Sequence, residues 1–276
     1  MRMANLQRTV FLISDSTGIT LEKLSHSLLS QFPQVNFTIM THRYIDTTTK
    51  AESICDHINQ TYQQDQLKPL VFTSLLNQTH RSAISTAECI HYDIFEMFMG
   101  KLNQALDLTP TPVSGLSHAV ANENQYESRI EAINFALKSD DGLSTGLYEK
   151  ADVILLGVSR AGKTPTCLYL AMNYGILAAN YPITEEDMQI SGVPDVIKKY
   201  KSKCFALTIE VNQLAHIRNK RRPDSEYASV AQCRREINFA NNLFRENLID
   251  CIDTSTTSIE ELATSIISKK NLVFKQ

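Results

Sequence analysis

Val153-Ile-Leu-Leu-Gly157-Val-Ser-Arg-Ala-Gly162-Lys163-Thr-Pro165 is the stretch on which the reading of the whole chain turns. Its first four residues are apolar without a break, the pattern of a strand covered on both faces of a parallel sheet. The eight residues from Gly157 to Thr164 then fit G-x-x-x-x-G-K-[ST] at every specified position, a coincidence expected in about one chain in a hundred of this length. Helical spacing begins at the lysine and runs to Asn173, ahead of Gly175. Pro165 falls in the first turn, where a missing N–H costs nothing.

The residue types match one chemistry. Gly157 and Gly162 permit backbone angles that turn successive N–H groups of Val158, Ser159, Arg160 and Ala161 inward, a concave nest for an anion at a positive helix terminus. Lys163 would place a cation on terminal phosphates, and the Thr164 hydroxyl would bind Mg²⁺.

Outward from this loop, strand and helix signals alternate. Strands are expected at Val10–Ile13, Val35–Met40 and Leu70–Phe72, and helices over Leu21–Phe32 and Lys50–Tyr62. Helical spacing continues from Thr79 to Leu106, and again from Tyr126 to Leu137. After the loop, Ile176–Ala179, Cys204–Ile209 and Leu248–Ile252 supply further strands. Tyr227, Val230, Ile237, Phe244 and Leu248 mark one face of a long helix. The pattern predicts an α/β protein: an N-terminal α/β domain, then a P-loop kinase-like domain with a mostly parallel sheet. Asp107–Gly115, with two prolines and a glycine, is the expected linker, giving domains at 1–112 and 113–276.

Composition excludes several classes. With 43% hydrophobic and 21% charged residues in 276, the chain is globular rather than disordered. A net charge of −3 gives no bulk field for nucleic acid. No apolar run approaches the roughly 18–20 residues of a membrane span, and no apolar export core follows Met1-Arg2-Met3. Six scattered cysteines without a CxxC pair read as reduced thiols of a cytoplasmic protein.

Three other features invite a site. Eight basic residues fall between Lys198 and Arg222, and Arg218 and Arg222, one helical turn apart, could form a lid over phosphoryl groups. The alternative is a solvated helix face. Asp140-Asp141-Gly142 suits a turn, or a carboxylate that orients a hydroxyl nucleophile or metal-bound water. Ser14-Asp-Ser-Thr-Gly18, between a strand and a helix, suits an N-cap and tight turn, or a second anion site.

Taken together, Asp140-Asp-Gly, Ala151 to Pro165 and Ala179-Asn-Tyr-Pro182 resemble the pyruvate, phosphate dikinase / phosphoenolpyruvate synthase regulatory protein family. Ile13-Ser-Asp-Ser-Thr-Gly18 with Glu22, Ser30-Gln-Phe32, and Ile217-Arg218, Arg222 and Tyr227 match its opening and closing segments. Gly162-Lys163 and Asn180-Tyr-Pro182 look most like the branch acting on phosphoenolpyruvate synthase, while Leu21 departs from the small residue usual before Glu22. The resemblance implies a bifunctional enzyme, a homodimer, that phosphorylates a threonine of the synthase with ADP and removes it with inorganic phosphate, releasing pyrophosphate. On that reading Lys163 stabilises developing charge, Arg160 and Arg218 assist it, Thr164 holds Mg²⁺, and Asp141 is the base. A conventional ATP-dependent kinase of a small molecule and a non-catalytic nucleotide sensor are the rival readings.

Overall fold

The computed structural model describes residues 6–111, 123–140, 145–189 and 193–273. The chain divides into two compact units, residues 1–120 and 121–276; the boundary expected after residue 112 lies outside the described residues. Each unit carries a four-stranded parallel sheet. The α/β class expected from the alternating signals is the class found. No helix among the described residues is long and apolar enough to cross a membrane.

The first unit runs β1 (Leu6–Ser14), α1 (Ile19–Leu29), β2 (Val35–His42), α2 (Thr48–Asp65), β3 (Leu70–Ser74), α3 (Gln78–Ser85), β4 (Ile90–Asp93) and α4 (Ile94–Leu106), with strand order β2-β1-β3-β4. Alternation along β1 builds two cores. Phe11 and Ile13 pack with Ile54 and Ile58 of α2 and Ile84 of α3, while Val10 and Leu12 pack with Leu21 and Leu29 of α1 and Phe72 of β3. Burying each such side chain is worth about 1.5–3 kcal/mol.

The single helix expected over Thr79–Leu106 is instead two helices with an edge strand between them. Ile84, Ala87, Ile90 and Ile94 keep helical spacing by coincidence, but Ile90 is exposed and pairs with Leu70 in the sheet. Asp93 ends the strand and starts α4, its carboxylate accepting from the Glu96 amide at 2.9 Å and from Arg81 Nε at 2.7 Å.

The second unit runs α5 (Glu123–Lys138), β5 (Val153–Val158), α6 (Lys163–Tyr174), β6 (Ala178–Ile183), α7 (Glu185–Gln189), α8 (Asp195–Tyr200), β7 (Cys204–Thr208), α9 (Val211–Arg221), α10 (Val230–Glu246), β8 (Cys251–Asp253) and α11 (Ile259–Lys270). Its order, β6-β5-β7-β8, places β5 inside the sheet with every residue buried. The strand expected at Ile176–Ala179 begins two residues later, because Leu177 is held by Asp152: its amide donates to the carboxylate and its carbonyl accepts from the Asp152 amide, both at 2.8 Å. The last strand also starts later than expected. Leu248 is 85% exposed in a left-handed turn that closes α10. The buried stripe of α10 is Cys233, Glu236, Ile237, Ala240, Leu243 and Phe244, so Val230 and Leu248 do not belong to it.

Candidate functional site

β5 delivers the loop Gly157–Gly162 to the carboxyl end of the sheet, where the chain order reverses between β6 on one side and β7 on the other. Such switch points leave a crevice for ligands. The two glycines serve different needs. Gly157 has no room for a side chain, since a Cβ there would lie 2.6 Å from the Leu207 carbonyl oxygen and 3.3 Å from the Ala161 Cβ. Gly162 has φ 88° as the residue capping α6, a left-handed angle that glycine takes without strain. A second left-handed position, φ 74°, is filled by Arg160. The motif alone credits both glycines with the turn; the structure gives Gly157 to close packing and the other half of the turn to Arg160.

Val158 and Ala161 are buried, and the Ala161 amide closes the turn on the Val158 carbonyl at 3.2 Å. Lys163, 5% exposed, donates from Nζ to the same Val158 carbonyl at 3.0 Å, so its ammonium lies back along the loop rather than in solvent. Arg160 is exposed. Thr164 Oγ1 donates to Asp140 Oδ1 at 2.8 Å, and Asn180 Nδ2 donates to the same oxygen. The structure thus joins three segments that are far apart in the sequence: the end of α5, the start of α6 and the Asn180 of β6. Thr164 and Asp140 are hard oxygen donors of the kind Mg²⁺ takes one or two of, alongside substrate phosphates and water. Asp141 lies outside the described residues.

Arg218, expected as a lid arginine at the surface, is instead fully buried. Glu236 of α10 takes both arms of its guanidinium, Oε1 from Nη1 at 3.0 Å and Oε2 from Nη2 at 2.6 Å. Nη2 and Nε also donate to the Ser159 carbonyl at 3.1 and 3.3 Å, and Nη1 to the Tyr227 carbonyl at 3.1 Å. The ring of Tyr227 lies 4.2 Å from the guanidinium carbon, and its hydroxyl shares a 2.8 Å hydrogen bond with Ser159 Oγ. Burial acts to lower the Arg218 pKa, but the hydrogen bonds and charge of Glu236 outweigh it and the net direction is upward. Arg222 sits after α9 and is exposed. Glu236 escapes a reading of the sequence because a lone acid inside an apolar helical stripe reads as surface. Its seat on the buried face, one turn from Cys233 and Ala240, is the available signal.

The Ser14–Gly18 turn is the first unit's counterpart. Ser14 Oγ accepts from the Ser16 amide at 3.2 Å and from Ser74 Oγ at 3.0 Å, and Asp15 Oδ2 accepts from the Leu76 amide at 3.1 Å. Gly18, φ 73°, caps α1.

Fold and site together define an α/β protein with a glycine–lysine loop at the switch point of a parallel sheet. The chain belongs to the kinase/pyrophosphorylase family, whose description matches residues 10–267. It is 46% identical over 267 residues to a protein of Stutzerimonas stutzeri named "Putative phosphoenolpyruvate synthase regulatory protein", covering 97% of this chain and 98% of that one. Proteins of the same name from Legionella pneumophila, 47% identical over 95% of this chain and 97% of theirs, and from Pseudomonas aeruginosa, 45% identical over 97% of each, are similarly close.

Proposed function

We propose that the chain regulates phosphoenolpyruvate synthase by moving one phosphoryl group in both directions. The observation that carries this reading is the loop itself, with its left-handed turns at Arg160 and Gly162, at the head of α6 with Lys163 folded over it. The family's description, kinase/pyrophosphorylase, and the relatives' names, which mention phosphoenolpyruvate synthase, support this reading.

In the inactivating direction the diphosphate of ADP lies on the amides of residues 157–164. The threonine oxygen of the synthase attacks the β-phosphorus, the bond from that phosphorus to the bridging oxygen breaks, and AMP leaves. Asp141 takes the hydroxyl proton. In the reactivating direction an oxygen of inorganic phosphate attacks the phosphothreonine phosphorus. The bond to the threonine oxygen breaks, that oxygen regains a proton from Asp141, and pyrophosphate leaves. A nest shaped for two adjacent phosphoryl groups serves both reactions.

Lys163 offsets charge on the transferred group, and Arg160, exposed at the turn, assists it. Thr164 and its partner Asp140 would hold Mg²⁺, which when bound would neutralise phosphate charge. Asp140 thereby keeps the Thr164 hydroxyl oriented before any ligand arrives. The compartment of this reading is the cytoplasm, on the sequence pattern of six scattered cysteines without a CxxC pair. The homodimer rests on the family resemblance, and sedimentation velocity measures it.

The test is to incubate the purified chain with phosphoenolpyruvate synthase and ADP labelled in the β-phosphate. The expected result is labelled phosphothreonine with release of AMP; phosphate should then yield pyrophosphate and unmodified threonine. Phosphorylation of a free metabolite from ATP, or stoichiometric inhibition without phosphothreonine by mass spectrometry, would overturn the reading.

A further inference from the structure

An arginine buried without any exposure is an expensive way to fill space. Taking its charge out of water is costly, and apolar residues of similar volume often stabilise a protein as well as a buried ion pair does. Arg218 and Glu236 therefore call for a role besides packing, and their contacts converge on one residue of the loop.

That residue is Ser159. Its carbonyl accepts two hydrogen bonds from Arg218, and its hydroxyl meets Tyr227, whose ring lies against the same guanidinium. Ser159 is thus held at both its polar ends. Because a trans peptide is planar, its carbonyl and the following N–H point in opposite directions. Fixing the Ser159 carbonyl towards Arg218 aims the Arg160 amide away from it. It also fixes the plane from which Arg160 departs at φ 74°, an angle that costs a non-glycine residue energy and persists only when its surroundings hold it.

Glu236 sets the guanidinium in turn. Its bidentate grip fixes the plane of the fork, which a single contact would leave free to rotate. Gln232 Nε2 donates to Glu236 Oε1 at 3.1 Å and to Glu185 Oε1 at 2.5 Å, bracing the carboxylate from its far side.

We propose that Arg218 and Glu236 are positioning residues that hold the peptide between Ser159 and Arg160 in its anion-receiving orientation before a ligand binds. Neither touches the reacting atoms. The ligand served is a diphosphate group, free or in a nucleoside diphosphate, and this inference rests on the reading of the loop given above. Pre-setting an amide removes an ordering cost from binding, so the pair acts on affinity rather than on the chemical step.

The test uses the full chain and Mg²⁺-pyrophosphate as the probe. Calorimetric titration gives Kd, thermal unfolding gives stability, and hydrogen exchange reads the amides of residues 157–162. In R218M/E236L the ion pair becomes an apolar pair. The expected result is a melting temperature within a few degrees of wild type, a Kd raised at least tenfold, and faster exchange at the loop. E236Q, which keeps one acceptor for the fork and loses the charge, should raise Kd severalfold without unfolding. A double variant that melts like wild type and binds pyrophosphate with unchanged Kd overturns the inference. Should the double variant fail to fold, E236Q decides, and an unchanged Kd there overturns it too. If wild type binds no pyrophosphate, the reading of the loop has failed. Loop exchange equal in wild type and folded variant would then separately show that the pair does not order the loop.

Discussion

The turn at Ser14–Gly18 and the loop at Gly157–Gly162 occupy equivalent places in their units. Each comes after the first strand of a parallel sheet whose order is second, first, third, fourth, and each ends on a left-handed glycine that caps the next helix. The residues just past the glycine differ. In the first unit Ile19 and Thr20 stand exposed; in the second Lys163 is buried along the loop and Thr164 is bound to Asp140. The supports differ as well: Ser14 and Asp15 spend their polar side-chain atoms on the neighbouring backbone and Ser74, while Ser159 is held by an arginine with its own buried counter-ion. A shared backbone frame therefore explains the glycine at the helix head in both units; Thr20 keeps a hydroxyl in the place of Thr164, but Ile19 stands where the second unit has the buried cation Lys163.

The largest expected effect breaks the comparison on the side of the second unit. Lys163→Ala should reduce both transfer reactions at least ~100-fold, the scale of losing one charge-stabilising donor, read as initial rates of AMP and pyrophosphate release. Retention of either reaction near the wild-type rate would mean that the loop is not the shared site. Next comes Gly157→Ala. Its Cβ would meet backbone at 2.6 Å, and overpacking of this kind costs about 1–3 kcal/mol, so denaturant titration should show the second unit unfolding earlier. Gly18→Ala is smaller and of another kind. The nearest atoms to a new Cβ are side-chain atoms at 3.5 and 3.6 Å, which leaves only the backbone angle to resist it, about 1–2 kcal/mol. A larger loss at Gly18 than at Gly157 would contradict the distinction between packing and dihedral strain.

Much of this frame is legible in the chain because the buried parallel strands are short apolar runs bounded by turns. Val153–Leu156 and Val10–Ile13 can hardly be read otherwise. The edge strand β4 is hidden, since an exposed strand lacks that apolar run and Ile90 falls in step with a helix. At the site, the motif names Gly157 to Thr164, but spacing along the chain carries no information on which distant residues meet. Asp140 and Asn180 converge on Thr164, and Glu236 on Arg218, through sheet order and helix packing. Arg218 illustrates the limit. A cluster of basic residues suggests a solvent-facing lid, yet one member of the cluster is the most deeply buried cation among the described residues, because an acid on another helix meets it there.

Acidity should separate the units more gently. In the first unit burial, reinforced by the charge of His57, lowers the pKa of His42 below its ordinary 6.5. Burial likewise lowers that of His91, against the opposing pull of Asp93 and Glu96. His42 stacks on Phe11 at 5.8 Å, within the sheet, and His91 Nε2 lies 2.9 Å from Thr73 Oγ1 on the neighbouring strand. A lowered folded-state pKa means that the unfolded chain binds more protons between the two values. The stability these residues contribute is complete above pH 6.5 and is lost as pH falls through 6.5 towards the lowered pKa values. Hydrogen exchange on the full chain, corrected for intrinsic rates, should show β1, β2 and β3 losing protection between about pH 7.5 and about pH 5.5, a window that brackets the ordinary histidine value. His42→Asn should flatten that dependence, since asparagine does not titrate. Undiminished protection of β1 and β2 at the acid end of that window would mean that His42 takes up its proton in the folded sheet without penalty.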